Sequence, residues 1–415
     1  KELPFMQRRE FLKTVAGASM CSMLCSSCSF MSDKELVESE FIYKSKADLP
    51  KSIRLEACTL CQLNCPACWV RMNEEKVKKL NGFGYLKFKD FKKLIDDNPR
   101  LSEIELSYSG EIFLNPELKE IIEYAYENGV RLKANGGVNL NTLSDEMAET
   151  LVRCQFDVLQ ISIDAASHET YEVYRRGGNF EKVIENIKKI NKYKQEYNSA
   201  YPILVYQFIL FQHNIYEILQ AKEIARSLNM KISFIQNLQP WYSPIDKKDI
   251  KHVEKMSGVK FNNGDTRKEL KQYKTKKRDW FNCEDLFTYP QINWNGNLLG
   301  CCLCKDKNFG VNVFKDGLFN ALNHQNVVYA KRMVTDFSVP PKEEIPCSKC
   351  SIYDDLKTLD YELQNISDIQ RDKIDYSMPR VKLLEEIFKN RGMHEFKKVE
   401  FCDENILTLI LCQII

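Results

Sequence analysis

Ser52-Ile53-Arg54-Leu55-Glu56-Ala57-Cys58-Thr59-Leu60-Cys61-Gln62-Leu63-Asn64-Cys65-Pro66-Ala67-Cys68 is the stretch on which the reading of this chain turns. Its first six residues read as a short β-strand. The remainder is a loop carrying Cys61, Cys65 and Cys68 at the spacing C-x3-C-x2-C. A strand that runs into a ligand-bearing loop is how barrel enzymes place chemistry at one rim.

Strand and helix patterns alternate from this point to about Gln236. Strands are expected at Glu103–Ser107, Val130–Ala134, Val158–Ile163, Pro202–Leu210 and Met230–Ile235. Helices are expected at Pro116–Asn128, Asp145–Cys154, Asn179–Tyr193 and Ile215–Leu228. Such alternation predicts an α/β fold with a parallel sheet. Six units are too few to close an eight-stranded barrel, so the expected form is a partial (β/α)6 TIM-like barrel. Its chemistry should lie at the C-terminal strand ends, where Cys61, Gly110, Asn135, Asp164 and Gln212 fall.

The chain has 415 residues, a formal net charge of +2 and 44% hydrophobic residues, so it reads as a globular protein with room for more than one domain. The near-zero charge supplies no field for drawing in nucleic acid, and none is expected as a partner. No stretch reaches 18 strongly apolar residues, so no transmembrane span is expected. Sixteen cysteines are the unusual number, and in a large chain they point to metal or cluster ligation before disulfides. We find no phosphate-cradling P-loop, no G-x-S-x-G and no H-E-x-x-H.

The C-x3-C-x2-C spacing occurs twice, since Cys21, Cys25 and Cys28 repeat it. Chance predicts about 0.02 such triplets at this cysteine frequency, so at least one has a function. The Cys21 copy sits in an uncharged run with no strand to hold it, which leaves the Cys61 copy as the candidate site. A [4Fe–4S] cube takes thiolate ligands, and three thiolates leave one iron open to a chelating small molecule. A zinc site would need a fourth ligand, for which Cys58 is the candidate.

At these residues the chain resembles the radical S-adenosylmethionine (radical SAM) enzymes. The resemblance implies that the open iron chelates the amino and carboxylate groups of SAM. One electron then cleaves SAM to a 5′-deoxyadenosyl radical that abstracts hydrogen from a substrate. It also implies site residues. Ser109-Gly110-Glu111 is similar to the family's glycine-rich turn at the SAM amino group, with Ser109 and Ile112 where the family has glycine and proline. Asn135-Gly136-Gly137 resembles a second rim turn. Ser162 resembles the contact to the SAM ribose, and Arg175 resembles the arginine that meets the SAM carboxylate. Arginine suits that task because its planar fork pairs with a carboxylate in bidentate fashion. Ala67 departs from the family by standing where an aromatic residue often precedes the third cysteine. His168 and His213 show no metal-binding spacing.

The domain organisation expected from the sequence is a signal segment over 1–40, a radical SAM core over 50–237 and a linker over 238–282. An auxiliary-cluster domain over 283–356 and a tail over 357–415 follow. Asn295-Gly296 between apolar runs signals a hairpin that would bring Cys283 and Cys301 to one end of a small α+β domain. Cys347-Ser-Lys-Cys350 supplies a C-x2-C pair. These four thiolates resemble the twitch form of the SPASM extension. That resemblance implies one auxiliary [4Fe–4S] cluster for electron transfer, with Cys302 or Cys304 as alternatives to Cys301 and four-cysteine zinc as the competing occupant. Arg8-Arg9-Glu10-Phe11-Leu12-Lys13 resembles a twin-arginine export signal, whereas SAM and a low-potential electron donor are expected in the cytoplasm. The expected substrate is a small molecule or a peptide. A zinc-stabilised binding module is the competing reading of the whole chain.

Overall fold

The computed structural model describes residues 41–237, 239, 241–261, 283, 285–302, 307–350, 353–354 and 357. The expected signal segment, the Cys21 triplet, most of the C-terminal tail, Cys304 and much of the linker lie outside these residues. Contacts divide the chain into Lys1–Phe41 and Ile42–Ile415, and the description below concerns the second unit.

Six parallel strands form the core. They are β1 (Ser52–Leu55), β2 (Glu103–Glu105), β3 (Arg131–Val138), β4 (Val158–Ser162), β5 (Ile203–Leu210) and β6 (Lys231–Gln236). Each pairs in parallel with the next in sequence, as repeated right-handed crossovers require. The result is the expected partial barrel.

Between β1 and β2 run three helices that periodicity did not signal: α1 (Trp69–Met72), α2 (Glu74–Leu80) and α3 (Phe88–Asp97). The later crossovers are carried by α4 (Leu118–Glu127), α5 (Asp145–Arg153), α6 (His168–Tyr174), α7 (Phe180–Glu196) and α8 (Ile218–Ser227). Their starts are chemically marked. Ser144, Ser167 and Asn179 accept from the backbone N–H groups of Met147, Thr170 and Lys182, satisfying donors that a helix cannot pair internally.

Strand alternation splits the sheet into two chemical faces. Ile53, Leu55, Ile104, Leu106, Leu159, Ile161, Leu204 and Phe208 turn to one face and join the helices in a continuous apolar core. The opposite face lines the barrel.

Two outcomes differ from the sequence reading. Asn135-Gly136-Gly137 is no rim turn, because β3 continues through it to Val138. Gly137 takes a φ of +97°, where a side chain would be strained, and the pairing with β4 shifts register beside it. The Asn295-Gly296 hairpin forms, but not as part of a separate small sheet. Its strands β7 (Gln291–Ile292) and β8 (Leu298–Gly300) extend the main sheet, with β7 parallel to β1. The sheet order is therefore β6-β5-β4-β3-β2-β1-β7-β8. The expected linker contains α9 (Ile250–Ser257), whose Val253 is fully buried in the core. A short α10 (Asp285–Thr288) precedes β7, and beyond β8 come α11 (Val313–Asp316), α12 (Leu318–Leu322), α13 (Gln325–Thr335) and a 3-10 turn (Pro346–Lys349).

Ile161 is wholly buried on the helix-facing side of β4. Ile161→Ala should lower stability by about 2–5 kcal/mol through lost burial and the cavity left behind. Urea unfolding of the metal-free chain, followed by circular dichroism, measures this.

Candidate functional site

Beyond β1 the chain crosses the C-terminal end of the barrel as the cysteine loop. Backbone pairing fixes its approach. Leu86 donates to Ala57 O (3.0 Å) and Thr59 donates to Gly84 O (2.9 Å), so Cys58 lies in a small ladder and is fully buried. Its neighbouring charges are Glu56 and Glu111 and include no other thiol. Cys61, Cys65 and Cys68 instead interact with one another, and all three are unpaired thiols. Cys58 Sγ, the candidate fourth ligand of a zinc knuckle, is directed to Leu60 O (3.8 Å). Among the described residues, no three His, Cys, Asp or Glu side chains converge as a single metal ion requires. A cube spreads its ligands over separate irons and has no such demand.

The trio borders a cavity of about 330 Å³ lined also by Gln62, Arg71, Phe83 and Ser109. Burial pushes the Cys61 thiol up to about 12 and raises that of Cys65, on which Arg175 acts in the opposite sense. Thiols held in this way need a strong local cation to become thiolates, which iron provides. Leu63 and Ala67 pack with Cys65, Tyr174 and Phe211 in an apolar cluster below the loop, and Cys61 and Cys68 lie against it. Arg71, three residues after the last cysteine, donates to Cys61 O (2.7 Å) and Leu63 O (3.2 Å), tying the loop to α1. Asn139 directs its side-chain N–H toward Cys61 Sγ at 3.8 Å.

The turn after β2 meets this loop closely. A side chain at Gly110 would place its Cβ 2.3 Å from Cys58 O and 2.6 Å from Leu60 O, so only glycine fits. Glu111 donates its N–H to Leu60 O (2.8 Å), and its carboxylate accepts from Asn139 N–H (2.6 Å). Burial pushes Glu111 up to about 7. Beneath the turn lies Glu56, 1% exposed, whose carboxylate oxygens have no hydrogen bond of normal geometry. Burial pushes its pKa up to about 8, against a weaker pull from the nearby Ser109, Tyr108 and Gly110.

Arg175 stands across the loop. Its Nε donates to Asp164 Oδ2 (2.7 Å), and Nη1 points at Cys65 Sγ (3.8 Å). Burial raises the pKa of Asp164 while Arg175 opposes it. We read the pair as ionised, since neutralising either group would strand the other charge. Asp164 also accepts from Ile209 N–H (2.6 Å), which fixes the carboxylate. Arg176 O accepts from Asn64 N–H (2.9 Å), clamping the cysteine loop to the end of α6. Ser162 is buried at the end of β4, against Gly137 of β3. Asn135 is buried lower on β3, its N–H bound to Glu105, and its side-chain N–H has no partner. Cys61, Cys65, Cys68, Gly110, Glu111 and Arg175 are thus brought together, with Ser162 and Asn135 on the barrel wall below. Residue types alone did not signal Arg71, Asn139 or Asp164 as supports of this group.

A second thiol group lies farther along. Cys283 feels the charges of Cys301 and Cys350, and with burial they hold its thiol well above the ordinary range. Cys347 and Cys350 share one turn, closed by Cys350 N–H to Cys347 O (3.1 Å). Cys302, an alternative ligand by sequence, is engaged in a disulfide, whereas Cys301 is not. Tyr108 of the first turn donates its hydroxyl to Cys302 O, so the two sites share a contact.

Residues 55–232 match the Radical SAM superfamily. The chain contains a radical SAM domain. It is 24% identical over 196 residues to the tungsten-containing aldehyde ferredoxin oxidoreductase cofactor-modifying protein of Pyrococcus furiosus, a match covering 46% of this chain and 52% of that protein. It is 27% identical over 183 residues to the AdoMet-dependent heme synthase of Methanosarcina barkeri, covering 43% and 48%. The chain thus spans about half the length of these curated relatives. The crystal structure of Streptococcus suis SuiB bound to S-adenosylmethionine shares its fold at a TM-score of 0.50 and 12% identity, over 84% of this chain and 81% of that one. A second crystal structure of Streptococcus suis SuiB gives the same score over 77% of each chain. The radical SAM family carries a [4Fe–4S] cluster and SAM, and the donor set fits both: three mutually adjacent thiols, a cavity beside them and a buried arginine at their edge. Among the described residues no helix is long and apolar enough to cross a membrane.

Two predictions follow from this geometry. Asp164→Asn leaves the Arg175 charge buried without its counter-ion and should cost about 3–5 kcal/mol in chemical denaturation of the metal-free chain. Glu56 has its folded pKa raised above the ordinary 4.5, so its contribution is fully present below that pH and is lost as pH rises through about 8. Melting temperatures of wild type and Glu56→Gln, measured across this window, should diverge, with wild type falling and the variant flatter.

Proposed function

We propose that this protein is a radical SAM enzyme that reductively cleaves S-adenosylmethionine and abstracts hydrogen from a small-molecule or peptide substrate. The observation that carries the reading is the Cys61–Cys65–Cys68 trio, three mutually adjacent thiols whose loop is seated on the Gly110 turn. A [4Fe–4S] cluster held there and open at one iron would supply a chelating site for SAM and the electron for its reductive cleavage.

In this reading Cys61, Cys65 and Cys68 hold the cluster. Gly110 and Glu111 receive the SAM amino group, for which a carboxylate with a backbone turn beside it is well suited. Arg175 receives the SAM carboxylate. Its fork is already oriented by Asp164, so little rotamer freedom is lost on binding. Ser162 and Asn135 line the wall where the ribose would lie. Arg71 and Asn139 hold the loop and position Cys61. Leu63, Tyr174 and Phe211 exclude water from its lower side, which strengthens charge interactions above them.

Cys283, Cys301, Cys347 and Cys350 are assigned to one auxiliary [4Fe–4S] cluster in a SPASM or twitch-like extension. Four thiolates would saturate it, so it would serve electron transfer, accepting an electron from a substrate radical, while a low-potential donor would supply electrons to the enzyme. The type of reaction is oxidoreductase or maturase. Cytoplasmic assembly suits both clusters. The Arg8-Arg9 pattern, outside the described residues, supports later export of the folded protein by the twin-arginine route as a second reading of where it acts.

Anaerobic reconstitution should give about eight irons per chain with matching sulfide. Cys61→Ala, Cys65→Ala or Cys68→Ala should each abolish 5′-deoxyadenosine formation and lower the count to about four. Cys283→Ala or Cys350→Ala should lower the count equally while leaving SAM cleavage measurable. Zinc without sulfide, or undiminished cleavage in the first three variants, would overturn the assignment.

A further inference from the structure

Asn139 directly follows β3 and is buried, with its side chain against the cysteine loop. A donor of fixed polarity decides which end of its amide faces that loop. The backbone N–H of Asn141 can only donate, and it reaches Asn139 Oδ1 at 3.0 Å. Gln62 Nε2 donates to the same oxygen (2.7 Å). Nδ2 is therefore the end turned toward Cys61 Sγ (3.8 Å), with Gln62 Oε1 at 3.5 Å as its other neighbour. Flipping the amide would break the bond from Asn141 and set an oxygen against the sulfur.

A second amide stands behind the first and is oriented in the same way. Asn179 N–H, just before α7, donates to Asn141 Oδ1 (2.7 Å). Asn141 Nδ2 is thereby turned to Asn139 Oδ1 (3.2 Å), Asn139 O (3.1 Å) and the Tyr171 hydroxyl (3.0 Å). The row runs from Asn179 through Asn141 and Asn139 to Cys61, and buried amides in series polarise one another.

Holding the loop does not require an N–H at this place, because Arg71 already grips the carbonyls of Cys61 and Leu63. An N–H beside a ligand sulfur has a different effect. A cluster gains one negative charge on reduction, so a donor at its sulfur favours the reduced form, and such hydrogen bonds help to set cluster potentials. Arg175 Nη1 approaches Cys65 Sγ in the same way (3.8 Å), but that guanidinium also serves Asp164 and, in the reading above, the SAM carboxylate.

We propose that Asn139 sets the reduction potential of the first cluster: its Nδ2–H, aimed by Asn141, stabilises the reduced form and so eases entry of the electron that SAM cleavage consumes. The inference rests on Cys61 being a cluster ligand, as assigned above. Asn139 meets neither SAM nor substrate in this scheme and acts through Cys61.

The test is a potentiometric titration of the reconstituted full chain, following the paramagnetic resonance signal of the reduced cluster that changes on adding SAM. Asn139→Leu removes the N–H and keeps similar bulk. Asn139→Asp, in alkaline buffer, keeps an acceptor for Asn141 and Gln62 and replaces the donor with a carboxylate oxygen. Each should lower the midpoint by about 59 mV, a tenfold loss in the one-electron reduction equilibrium, with iron content unchanged. SAM cleavage by the variants should fall with dithionite as reductant and recover with titanium(III) citrate, a stronger one. A residue that only held the loop would cost iron and leave the potential alone. An unmoved or raised midpoint in a variant that keeps its iron, loss of iron in both variants, or a cleavage defect that the stronger reductant does not relieve would overturn the proposal. A wild type without any SAM-responsive signal would overturn the radical SAM reading and this inference with it. A SAM-responsive signal whose midpoint both variants leave in place would overturn the role of Asn139 alone.

Discussion

Backbone contact between the cysteine loop and the turn after β2 is the constraint on which the site depends. Gly110 lies so near the carbonyls of Cys58 and Leu60 that no side chain can intervene. Glu111 then bonds back to Leu60, and Asn139 joins Glu111 to Cys61. Three strands are thereby fastened at one end through a few polar groups, most of them buried. Their interactions are strong because water is scarce around them, and for the same reason a missing partner is costly.

The two faces of the sheet solve different problems. The outer face and its helices form an ordinary close-packed core, with residues such as Ile53, Ile104 and Ile161 fully buried. The inner face sacrifices that source of stability for hydrogen-bonding groups and ion pairs. Arg54 with Asp285 and Arg175 with Asp164 show the cost being contained, since each buried cation has a carboxylate in contact. Such pairs add little net stability compared with apolar packing, but they fix side-chain directions where positions matter.

Much of the barrel was legible because its signals are local. Strand and helix patterning gave all six parallel strands to within a few residues, and the crossover helices α4, α5, α7 and α8 with them. Helices α1, α2, α3 and α6 were missed, and α1, α2 and α6 are too short to carry an apolar stripe of useful length. Asn135-Gly136-Gly137 looked like a turn because glycine usually punctuates, yet here glycine lets β3 pass close to its neighbours. The cysteine trio was readable from its spacing, and Arg175 was named through its resemblance to the family's arginine. Arg71 and Asn139 were not, and Asp164 was placed at a strand end without its role beside Arg175, since each acts through a partner that only folding brings near. The parallel docking of β7 on β1 carries no local signature at all, because it joins residues from opposite ends of the fold.

That docking also sets an order of events during synthesis. Arg54 and its partner Asp285 are 231 positions apart, and the ribosome delivers the amino-terminal side first. Throughout that interval the outer border of β1 has no strand beside it, a state that invites pairing with other chains. Only when the hairpin emerges is the border sealed, so the barrel wall beside β1 is completed long after the strand on its other side is made.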